Sequence, residues 1–135
     1  MAIVTLQIQD ETTAGERLAA LALQLTSERV TVRELIRARV HQEVRAFNTQ
    51  ANLGGGRFFG LVQPSDAERE LNGYRMREPR RIDPERQTEV ALSAFERGHV
   101  LLLVDDRQVE DLDDELVLRP RTAVTFLKLV PLVGG

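Results

Sequence analysis

The sequence predicts an α+β fold, with strands at both ends of the chain packed on one long helix. Three observations carry that expectation. Residues 4–8 alternate apolar and polar side chains. Residues 31–47 open with a capping box and continue with apolar residues at helical spacing. Residues 100–130 return to short apolar runs broken by polar turns. The 135 residues suit a single domain over 1–135. A content of 42% hydrophobic and 29% charged residues favours a packed core over disorder. Only 4% is aromatic, so aliphatic side chains must fill that core.

The first element is a strand over 2–9, in which Val4, Leu6 and Ile8 alternate with Thr5, Gln7 and Gln9. A polar turn over 10–16 follows. Residues 18–25 admit two readings, because the composition is Ala-rich but Leu21, Leu23 and Leu25 alternate. The alternation favours a strand, which closes a hairpin with the first. Thr31 and Glu34 then form a T-x-x-E box. Val32, Leu35, Ile36, Val40, Val44 and Phe47 recur at helical spacing and predict a helix over 32–47, ending near Asn48.

Residues 49–98 read as an insertion between core elements. It holds the flexible turn Gly54, Gly55 and Gly56, and an apolar cluster, Phe58, Phe59, Leu61 and Val62, expected to pin the segment to the core. It also holds a basic run, Arg75, Arg77, Arg80 and Arg81, and a second helix over 85–97. Val90, Leu92, Ala94 and Phe95 are expected to turn partly inward, and Gly98 suits the C-cap. Residues 100–104 predict a buried strand, Asp105 and Asp106 a turn, and 107–109 a return strand. Leu112, Leu116 and Leu118 sit in an acidic stretch, with seven carboxylates and one Arg over 105–115. The last strand is expected over 122–130, with Val124, Phe126 and Leu129 packing. Two hairpins flanking one helix predict a mixed sheet of four or five strands.

Composition excludes several functions. The chain has no cysteine, so there is no disulfide, thiolate metal site or Cys nucleophile. The net charge of −3 argues against nucleic acid as a partner. No apolar run predicts a membrane span, and no leader peptide is expected, which makes the cytoplasm the expected location. The glycine triplet lacks the Lys of a phosphate loop. His41 reads as a solvated or edge residue and His99 as a helix-end residue, so no metal is expected. The acidic stretch lacks the spacing of a calcium loop and reads as a solvated turn.

The most informative feature is the tail over 131–135. Pro131, Leu132 and Val133 lead from the last strand into Gly134 and Gly135. A terminal glycine has no Cβ to block a narrow channel, and it adopts backbone angles closed to other residues. Fully extended, the stretch from Leu129 to Gly135 spans about 23 Å. That length reaches from a folded surface into a partner's active site.

With that tail, the hairpin over 3–25, the helix over 32–47 and the strands over 100–118 and 125–130, the chain resembles a ubiquitin-like β-grasp protein. The resemblance is to the bacterial ubiquitin-like proteins encoded beside E1-, E2- and peptidase-like genes. The region 49–98 departs from the compact pattern. The resemblance implies a carboxylate donor, not an enzyme. An E1-like adenylating enzyme would activate Gly135 with ATP and Mg²⁺, while the chain itself binds no cofactor. An E2-like enzyme would pass the acyl group to an unknown protein target, and a peptidase would remove it. Pro131, Leu132 and Val133 would be read by these partners. The chain has 17 arginines and a single lysine, Lys128, so self-linked chains would form only there or on the N-terminal amine. Two other readings are a sulfur carrier that ends in a thiocarboxylate, and a non-covalent interaction module that uses the insertion as its surface.

Overall fold

The computed structural model describes residues 3–50, 57–58, 60–64, 67–69, 74–76 and 81–129. The tail 131–135, the glycine triplet, Phe59, Arg77 and Arg80 lie outside these residues. Among the described residues the architecture is α+β, with a mixed sheet and two helices.

The alternation at the N-terminus folds into the expected hairpin. Strand β1 spans Val4–Thr12 and β2 spans Arg17–Leu25, paired antiparallel. Strand β1 outruns the expected boundary, because Asp10, Glu11 and Thr12 continue it instead of turning. In β1, Val4, Leu6, Ile8, Asp10 and Thr12 all face inward, so the buried stripe passes from apolar to polar side chains. The turn is left to residues 13–16. Thr12 N donates to Glu16 O at 2.8 Å, and Gly15 takes a φ of +87°, a left-handed angle that favours glycine.

A short strand β3, Arg29–Thr31, leads into helix α1, Val32–Gln50. The capping box forms as expected. Glu34 N donates to Thr31 Oγ1 at 3.1 Å, and Thr31 N donates to Glu34 Oε1 at 3.0 Å. The helix runs three residues past its expected end. Its inward stripe comprises Val32, Leu35, Ile36, Val40, Val44 and Phe47, with Arg39 on the same stripe.

The chain then makes β4, Arg57–Phe58, β5, Ala67–Arg69, and β6, Tyr74–Met76, which pair in the order β4-β6-β5. Helix α2, Pro84–Glu96, opens with Asp83 as its cap and Pro84 in its first turn. Strands β7, Val100–Val104, and β8, Arg107–Val109, form the second hairpin. Asp105 and Asp106 turn it with φ angles of 49° and 65°, as a two-residue hairpin loop requires. Strands β9, Glu115–Val117, and β10, Val124–Lys128, complete the described chain.

The main sheet has the order β2-β1-β10-β7-β8. Strand β10 lies parallel to β1, with Ile8 opposite Val124 and Thr12 opposite Lys128, and antiparallel to β7. Strands β3 and β9 pair separately, which the sequence did not suggest. On the open edge of β2, the Gln42 amide donates to Ala22 O at 2.7 Å and accepts from Gln24 N at 3.4 Å.

Helix and sheet enclose a core of aliphatic side chains plus Phe47, Phe58, Phe95 and Phe126. Phe58, Leu61 and Val62 are buried and pin the insertion, as expected. Phe58 meets Phe47 edge-on at 5.7 Å between ring centres. Two expectations are corrected. Val90 is 41% exposed, because α2 buries Gln87, Thr88, Ala91 and Phe95 and Val90 lies off that stripe. Leu129 is 43% exposed, because Val124 and Phe126 turn inward and the alternation of the strand places Leu129 on the opposite face.

Candidate functional site

Strand β10 is the structural base of the C-terminal tail. It occupies the centre of the sheet, held by β1 on one side and β7 on the other. Val124 and Phe126 bury their side chains against α1 and the core, which fixes the strand's facing. Just past the strand, Leu129 N donates to His99 O at 3.2 Å. The expected conjugation residues Gly134 and Gly135, and the recognition residues Pro131, Leu132 and Val133, lie outside the described residues.

Lys128, the expected acceptor for self-linked chains, is half-buried. Its Nζ donates to Gly60 O at 2.7 Å. It therefore joins the end of β10 to the insertion. A cluster of buried charges stands beside it. Arg39, 1% exposed, is held in a bidentate pair with Asp10, its Nη1 2.6 Å from Oδ1 and its Nη2 2.5 Å from Oδ2. Its Nε donates to Glu43 Oε1 at 2.7 Å, one helical turn along. The other Glu43 oxygen, Oε2, accepts from Leu61 N at 2.8 Å. The guanidinium also lies 4.6 Å from the centre of the Phe126 ring.

The cluster thus touches β1, α1, the insertion and β10. Lys128 and Arg39 balance Asp10 and Glu43, so four charges enter the interior with no net excess. Burial pushes the Glu43 carboxyl above its usual range, against the pull of Arg39. Burial works against the Arg39 charge as well, but Glu43 and Asp10 outweigh it and hold the guanidinium charged at any ordinary pH. A Cβ at Gly60 would overlap the Phe58 ring and Glu43 Oε2, so any larger residue there must displace them.

The remaining candidates stay apart. The acidic stretch clasps the start of α1 through its backbone. Val32 N donates to Asp114 O at 3.0 Å and Arg33 N to Leu112 O at 2.9 Å. Its carboxylates face solvent, with Glu115 3.4 Å from Arg29 and Asp113 3.5 Å from Arg33. His99 is exposed at the end of α2. The His41 ring is half-buried, with Nε2 3.4 Å from Glu85 Oε1 and no hydrogen bond to it. Among the described residues no group of three or more His, Asp or Glu is placed to hold a metal ion. No helix among them is long and apolar enough to cross a membrane.

Asp10, Arg39, Glu43 and Gly60 were not singled out from the sequence. A signal existed for three of them. Asp10 continues the inward alternation of β1, and Arg39 and Glu43 share the apolar stripe of α1 at a spacing of one turn. Charges on two stripes that both face the core must meet there. Compared with known proteins, the chain matches no family model, no curated protein and no solved structure.

Proposed function

We propose that the chain is a ubiquitin-like modifier whose Gly135 carboxyl is activated by an E1-like enzyme and joined to a target protein. The observation that carries this reading is the placement of β10. A hairpin whose first strand lies parallel beside the last strand, with one helix across the sheet face, agrees with a β-grasp arrangement. The diglycine then follows the last strand by a short apolar stretch, on a base fixed from both sides. If further residues follow Gly135 in the cell, a protease must first expose its carboxyl.

In this reading the chain contributes no catalytic group. The partner adenylates the Gly135 carboxylate with ATP and Mg²⁺, releasing pyrophosphate. A partner nucleophile displaces AMP. A target amine or hydroxyl then takes the acyl group, with net loss of water between target and modifier. The buried cluster serves as scaffold, holding β10 against α1 and the insertion. Lys128 is a poor acceptor, because its amine must leave Gly60 O before it can attack.

The test is intact-mass measurement after incubation with ATP, Mg²⁺ and a lysate of the source cells. Pyrophosphate exchange serves to show that an adenylating enzyme is active. A water-loss adduct through Gly135, missing when Gly134 and Gly135 are deleted, is the expected result. Replacement of one terminal oxygen by sulfur would make the chain a sulfur carrier instead. No ATP-dependent change with active enzyme present would overturn both covalent readings. The Lys128→Arg variant is expected to be joined to targets as well as the parent chain.

A further inference from the structure

We infer that the cleft between α1 and the segment entering α2 is a binding site for a small phosphate monoester. This site stands apart from the diglycine reading and does not depend on it. A cavity of about 310 Å³ opens there, lined by His41, Val44, Arg45, Asn48, Arg81 and Pro84. That volume lies at the lower end of the range for small-molecule sites.

The walls are fixed by the fold. Residues 41, 44, 45 and 48 lie on one face of α1. The opposite wall is tied to that face through Asn48, whose Nδ2 donates to Ile82 O at 3.0 Å and whose Oδ1 accepts from Ile82 N at 2.8 Å. Arg45 on one wall and Arg81 on the other are exposed at the cleft. Neither side chain has an ion-pair or hydrogen-bond partner among the described residues, in contrast to Arg29, Arg33, Arg37 and Arg39. The guanidinium fork matches the spacing of phosphate oxygens, and two forks on facing walls suit one such group between them.

His41 lines the cleft and its ring reports on what enters. Its Nε2 is buried against solvent yet makes no hydrogen bond among the described residues. The nitrogen lies against Glu85 Oε1 at 3.4 Å, so an anion held by the two arginines alters the field at the ring without touching it. Val44 and Pro84 provide an apolar surface for an uncharged body. Glu85 limits the charge the site tolerates. Its Oε1 is 2.6 Å from Arg37 Nη2 and 3.4 Å from His41 Nε2, so a second anionic group on that side meets a carboxylate. One phosphate on a compact, otherwise uncharged molecule fits these constraints.

The probe is phenyl phosphate, followed by the NMR signals of the His41 ring. Saturable shifts are expected at millimolar concentrations or below. Arg45→Gln and Arg81→Gln should each weaken binding about tenfold or more, with unchanged melting temperature because both side chains are exposed. Phenol should give no shift. The assignment is overturned by non-saturable shifts, or by unchanged binding in the double variant. Inorganic phosphate binding as tightly as phenyl phosphate would overturn the role given to the apolar wall.

Discussion

Helix α1 places two of its arginines in opposite settings. Arg37 points outward and meets Glu85 at 2.6 Å, with side chains 53% and 58% exposed. Arg39, two residues on, points inward and meets Asp10 at almost the same separation, with side chains 1% and 4% exposed. Equal distances conceal unequal consequences. The outer pair is screened by water and is worth about 0–1 kcal/mol. The inner cluster gave up its hydration on folding, and each member now depends on the others. Distance therefore says little about an ion pair until burial is known.

The sharpest way to break this contrast is Arg39→Met, which leaves Asp10 and Glu43 buried without their paired guanidinium. A loss of about 3–5 kcal/mol is expected in urea unfolding. Replacing Asp10, Arg39 and Glu43 together by apolar residues of similar volume should cost much less than Arg39→Met alone. A loss below about 1 kcal/mol for the single variant would place Arg39 with the surface pairs. Gly60→Ala comes next. Its Cβ must displace the Phe58 ring and Glu43 Oε2, and about 1–3 kcal/mol is expected by the same measurement. A double-mutant cycle on Arg29 and Glu115 should give a coupling of at most about 1 kcal/mol, fading as salt is added.

The smallest effect concerns pH. The Glu43 carboxyl is raised in the folded state, so the fold binds its proton more readily than the unfolded chain does. Its contribution to stability is complete below the ordinary carboxylate range and is lost as pH rises through the raised value. Glu43→Gln removes this slope. The melting temperature of the parent minus that of the variant should therefore shrink as pH rises through that window. A difference independent of pH would mean that Glu43 titrates alike in both states.

Much of the fold was legible, and what was not has a common physical cause. The first hairpin, the capping box at Thr31 and Glu34, helix α1 and the turn at Asp105 and Asp106 all follow from local patterns. Each depends on neighbours within a few residues. Asp10 was misread as the start of a turn because its partner, Arg39, is 29 positions away. Arg39 goes unnoticed when the helix face is read alone, because charge outweighs position. The small strands β3 and β9 pair across more than 80 positions, and two segments of three residues carry too little alternation to be noticed. Leu129 lies outside the core because Val124 and Phe126 take the inward face, and a residue at odd spacing from them falls on the other. The proposed conjugation residues rest on the tail motif together with the placement of β10, and the proposed phosphate cleft exists only once α1 and the segment before α2 are brought together.

The Gln42 amide on the edge of β2 has one further consequence. A side-chain amide carries the same donor and acceptor as a peptide group, and here it fills the outward-facing carbonyl of Ala22 and amide of Gln24. To an approaching strand, the middle of that edge is already occupied by an imitation of its own backbone. Extending the sheet from one molecule into the next must first evict a group that belongs to the same helix the sheet is built upon. The residue thus acts as a terminator, setting where one copy of the fold stops and denying the next a place to begin.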